Sequence, residues 1–118
     1  MAGAGVLAAL GACGVLGGGR PAETPQQAAA REEADARIRR EVEARLAAEP
    51  AVGAGRIRVD VVRGEVRLHG TAPGFGALRC AIRNAELTPG VQLVIDFLVL
   101  EPGPSTVRCI APRVFPAS

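Results

Sequence analysis

Residues 57–70 read IRVDVVRGEVRLHG, and their reading decides the fold. Ile57, Val59 and Val61 alternate with Arg58 and Asp60, the period of a strand with one buried face. Arg63-Gly64 signals a tight turn, because glycine accepts the positive φ that a hairpin requires. The alternation then resumes, with Val66 and Leu68 inward and Glu65, Arg67 and His69 outward. Gly70 and Pro73-Gly74 end the strand. The stretch is a β-hairpin with one apolar side.

Upstream, residues 34–50 read ADARIRREVEARLAAEP. Ala34, Ile38, Val42 and Leu46 recur at steps of four, an apolar stripe on a helix that Pro50 stops. Arg37 and Glu41, Arg39 and Glu43, and Glu41 and Arg45 are each four apart and form weak surface pairs. Downstream, Leu78, Ala81, Ile82 and Ala85 mark a second amphipathic helix, broken at Pro89-Gly90. Val91 to Leu100 is a β-branched and aliphatic run, a third strand. The order is α-β-β-α-β. It predicts an α+β two-layer sandwich, with two helices on one face of a three-stranded mixed sheet.

Residues 34–100 resemble the BON domain, a small module of bacterial envelope proteins. The resemblance rests on an ordered set of positions. Ile38, Val42 and Leu46 lie on the first helix, and Val61, Gly64, Val66, Leu68 and Gly70 in the hairpin. Gly90, Val91, Val94, Asp96, Leu98 and Leu100 complete it in the last strand. It implies a module without catalysis that binds phospholipid surfaces or mediates contacts in the periplasm and outer membrane. Two places depart from the family pattern. The second helix opens Gly74-Phe75-Gly76, where polar and often acidic residues are usual. This is either a poorly capped, mobile corner or an anion site. In the second reading, backbone N–H groups and Arg79 hold a lipid phosphate while Phe75 dips into acyl chains. The last strand is apolar on both sides. Val94, Leu98 and Leu100 should meet the helices, which leaves Leu93, Ile95, Phe97 and Val99 on the other face. A sheet open to water alternates apolar and polar residues, so something should cover that face. The candidates are the chain's own tail, a second copy in a homo-oligomer, another envelope protein or membrane phospholipid.

The chain has 118 residues, which bounds it to one domain with a non-globular segment at each end. Residues 1–19 are uncharged, apolar and rich in glycine, and too short for a good membrane span, which takes about 20 strongly apolar residues. They read as an export signal. Leu10-Gly11-Ala12-Cys13 resembles the lipobox of bacterial lipoproteins, which would make Cys13 the lipidated first residue of a mature protein on the periplasmic or outer face of a bacterial membrane. No basic residue precedes the apolar core, a departure from the usual signal. Residues 20–33, with Pro21 and Pro25 and little apolar content, read as a flexible tether.

Residues 101–118 form a C-terminal tail. With Cys13 lipidated, Cys80 and Cys109 remain, and an even count in an exported domain favours a disulfide. It would close a loop of about 30 residues and add roughly 3 kcal/mol to a core of marginal size. Cys80 lies about 200° around the helix from Leu78 and points away from the sheet. A tail that reaches Cys80 leaves the Leu93/Phe97 face open. A tail that covers that face, using Val107, Ile110, Val114 and Phe115, leaves both thiols unpaired. The sequence favours the disulfide and hence an outside partner for the sheet.

No catalytic set, cofactor motif or metal cluster appears. His69 is the one histidine and reads as an exposed strand residue. All 14 basic residues are arginine, the net charge is +2, and carboxylates interrupt every arginine run. Nucleic acid is thereby disfavoured as a partner, because its binders present a surface of one sign and aromatics for stacking.

Overall fold

The protein is seen in a computed structural model that describes residues 21–112. The signal-like segment with Cys13, and Val114 and Phe115 of the tail, lie outside the described residues. The first helix, α1, spans Pro25–Ala47. It begins well before the apolar stripe, so the tether expected through residue 33 is helical from Pro25 onward. The cause is local. The Thr24 hydroxyl accepts from the Gln27 N–H at 3.1 Å, and the Gln27 side chain accepts from the Thr24 N–H at 2.9 Å. This capping box, with proline in the first turn, satisfies helix-end donors that would otherwise be orphaned.

The buried residues of α1 are Asp35, Ile38, Val42 and Leu46. Ala34 is exposed, contrary to expectation. Steps of four overshoot a 3.6-residue turn by about 40° each, so a stripe correct at Leu46 has drifted off the core by residue 34. Asp35 takes its place for a reason. Its carboxylate accepts from the Arg63 N–H at 2.9 Å and the Gly64 N–H at 3.0 Å, and so holds the hairpin turn.

Strands β1 (Ile57–Val62) and β2 (Glu65–Pro73) are antiparallel, with Val59 opposite Leu68. Arg63 and Gly64 both have positive φ, 52° and 77°. That is the two-residue turn whose twist suits a hairpin. At Gly70, φ is +122°, and a β-carbon there would collide with the Arg56 carbonyl. Helix α2 (Gly74–Glu86) then crosses back, and β3 (Leu93–Glu101) lies parallel to β2, with Val66 opposite Val94. The sheet order is β1-β2-β3, which among the described residues leaves β3 with a free edge. The α-β-β-α-β order and the mixed three-stranded sheet are those expected from the sequence. Ile38, Val42, Leu46, Val59, Val66, Leu68 and Ala81 form the shared core. Val52, beyond the end of α1, completes it.

Candidate functional site: an open sheet face and a strapped helix

Strand period and register fix the composition of the outer sheet face. Leu93, Ile95, Phe97 and Val99 stand opposite Glu65, Arg67, His69 and Thr71. Those residues in turn neighbour the outward side chains of β1. Phe97 and Leu93 are each 52% exposed and Val99 is 62% exposed, while Ile95 is half-buried. The face is thus split lengthwise into an apolar β3 and a mainly polar β1 and β2, with Val62 at the end of β1 39% exposed.

The polar half neutralises itself. Arg67 meets Glu65 at 2.6 Å and Arg58 meets Asp60 at 3.4 Å. His69 approaches Asp60 at 3.6 Å, and Arg56 meets Glu101 at 2.8 Å at the sheet's end. Phe97 stacks on His69 with ring centroids 4.9 Å apart, which fixes the aromatic upright on the face.

The opposite side is covered. Cys80 and Cys109 form a disulfide, with α-carbons 5.6 Å apart. The tail therefore returns over α2, and among the described residues it leaves the β3 face bare. Cys80 is 1% exposed and belongs to the core cluster, on the buried stripe of α2 with Ala77, Ala81, Asn84 and Ala85, contrary to the expectation that it points away from the sheet. The start of α2 has no side-chain cap. Instead the Gly76 N–H donates to the Pro104 carbonyl at 3.1 Å. A β-carbon at Gly76 would press within 2.8 Å of Val107, and one at Gly74 within 2.5 Å of Gly103 and Pro104. The two glycines serve the close approach of the strap. Phe75 and Arg79 remain exposed at this corner.

Glu49 is a residue that sequence reasoning passed over. It is 3% exposed and accepts from the Ile110 and Ala111 N–H groups, each at 2.8 Å, and from the Asn84 side chain at 2.9 Å. Burial alone would raise its pKa. The Ile110, Asn84 and Ala111 donors and the nearby Arg83 charge outweigh that and hold the carboxyl below its ordinary value. The only hint in the sequence was a glutamate before Pro50, just past the end of a helix. Glu49 also lies close to both sulfurs of the disulfide. The three do not make a metal site, since the sulfurs are bonded to each other and the carboxylate oxygens already hold N–H donors.

The described residues bring together no nucleophile, base and oxyanion donors, and none of their helices is long and apolar enough to cross a membrane. The geometry is that of a small module that presents a surface. Residues 34–102 match the family model of the BON domain, and the chain belongs to that family. The sequence resemblance is borne out over nearly the same span. The family is a non-catalytic module, typical of bacterial envelope proteins and associated with membrane phospholipid. None of the curated proteins compared with the chain matches it.

Proposed function

We propose that the protein is a non-catalytic envelope module, anchored through a lipidated Cys13, that binds phospholipid surfaces with the outer face of β3. The observation that carries this reading is the exposed row Leu93, Phe97 and Val99 on a face whose charges are already paired. Apolar side chains at that exposure gain by entering the acyl boundary, and self-paired charges add little attraction to anionic lipid. Binding should therefore depend only weakly on salt. The disulfide supports an oxidising compartment outside the cytoplasm.

Co-sedimentation of residues 21–118, which omit the apolar segment 1–19 and Cys13, with lipid vesicles tests the reading, since any binding then comes from the module and its tail. Pelleting that Phe97→Asp abolishes is expected. No pelleting with neutral or anionic vesicles removes the reading. The free edge of β3 beside the apolar row favours a second reading, a protein-interaction module of the periplasm that pairs with itself or another envelope protein. Light scattering separates them for self-association. A dimer that Phe97→Asp dissolves supports the second reading, and a monomer counts against it.

A further inference from the structure

The strap does more than cover α2. Between them they enclose an open-sided cleft of about 490 Å³, walled by Arg79 and Arg83 on the helix and by Ser105, Thr106 and Arg108 on the tail. Arg79 and Arg83 are four residues apart, so they stand one above the other on a single helix face. Arg108 faces them from the strap, held there by the disulfide at the adjoining Cys109.

Arg31, Arg45, Arg56, Arg58 and Arg67 each have a carboxylate within ion-pair distance. Among the described residues Arg39, Arg40, Arg63, Arg79, Arg83 and Arg108 have no carboxylate within ion-pair distance, and of these the last three line one cleft together. Glu49 lies buried beneath the strap and feels the charge of Arg83. Its oxygens are turned to the Ile110, Ala111 and Asn84 donors, and it offsets one positive charge of three. A cleft with excess positive charge on low-dielectric walls concentrates anions.

We propose that this cleft binds a phosphate group, held by the guanidinium groups of Arg79, Arg83 and Arg108, with the hydroxyls of Ser105 and Thr106 as further donors. Guanidinium donors from two walls, with hydroxyl donors beside them, suit a tetrahedral anion with several oxygens better than a planar carboxylate. The site lies on the helix side, away from the outer face of β3, and does not depend on the lipid-surface reading. Because Arg108 is carried by the strap, the site is complete only while the disulfide is closed.

The test titrates inorganic phosphate into the oxidised full chain carrying Cys13→Ser, labelled with ¹⁵N, at constant ionic strength balanced with chloride. Saturable shifts at residues 105–110 and at the side chains of Arg79 and Arg83 are expected. Arg79→Gln, Arg83→Gln and Arg108→Gln should each weaken binding by about three- to tenfold, the scale of one charge-assisted contact in a partly exposed site. Reduction of the disulfide should weaken it comparably. Arg58→Gln, on the sheet, should leave it unchanged, and so should Phe97→Asp, which separates this site from the β3 face. Vesicles containing phosphatidylglycerol distinguish the source of the phosphate. If Arg108→Gln weakens vesicle binding, the phosphate is a lipid headgroup. If it weakens only inorganic phosphate, the ligand is soluble. Absence of saturable binding in both arms overturns the proposal, as does binding that survives all three substitutions together.

Discussion

Over the helix layer, Cys109 is bonded to Cys80, and Glu49 holds the Ile110 and Ala111 amides. Across the sandwich, Phe97 has His69 beside it and stays 52% exposed. The same chain thus finished one side and left the other. The difference teaches that the bare face is no simple result of small size. A covering segment was available, and it was committed to α2 by a covalent bond and a buried carboxylate. The strap answers for stability, and among the described residues nothing covers the sheet face.

The largest expected effect strikes the strap. Cys109→Ser removes the cross-link over a separation of 29 residues and should cost about 3 kcal/mol. For a fold of this size that lowers Tm by on the order of 15 °C, and calorimetry with and without reductant should give the same loss. An unchanged Tm would erase the contrast between the two sides. Glu49→Ala comes next. It leaves three N–H donors without their acceptor and should cost about 2 kcal/mol in denaturant unfolding. Combined with Cys109→Ser it should cost less than the sum, because both changes free the same segment.

A smaller effect follows from pH. The folded state holds the Glu49 carboxyl below its ordinary value, so its stabilisation is present above the unfolded-state pKa and is lost as pH falls through the folded one. Stability curves across the acid range should fall more steeply for the native chain than for Glu49→Gln. Equal slopes would mean that the carboxylate does not clamp the strap. The smallest stability change belongs to the other side. Phe97→Asp should shift unfolding by no more than about 0.5 kcal/mol, as an exposed position allows, while abolishing vesicle pelleting. A large destabilisation would show that Phe97 belongs to the core, and the division of roles would fail.

What the sequence made legible was whatever depends on period and on near neighbours. The alternation in β1 and β2, the Arg63-Gly64 turn and the two-sided apolar run of β3 all correspond to observed elements. The open Leu93/Phe97 face also followed, once the cysteines were paired. Less legible were buried polar residues whose partners are remote. Asp35 is no part of the apolar stripe read on α1, and its partners lie in a turn 28 and 29 residues on. Glu49 finds its backbone donors more than 60 residues away. Hydrophobic pattern ranks such residues as exposed, and only the tertiary structure supplies the donors that let them be buried. The start of α1 was missed for another reason. The tether reading rested on prolines and low apolar content, whereas the helix start depends on the local capping box of Thr24 and Gln27.

Asp96 shows how this economy is kept safe. On the rim of the sheet its carboxylate turns back to accept from the Leu98 N–H at 3.1 Å. An amide that an incoming strand would seize is already taken, and a negative charge stands guard over it. At that point of the edge a strand from another molecule finds one donor fewer and a carboxylate in its way, so any pairing along β3 has to be offset from Asp96 and Leu98.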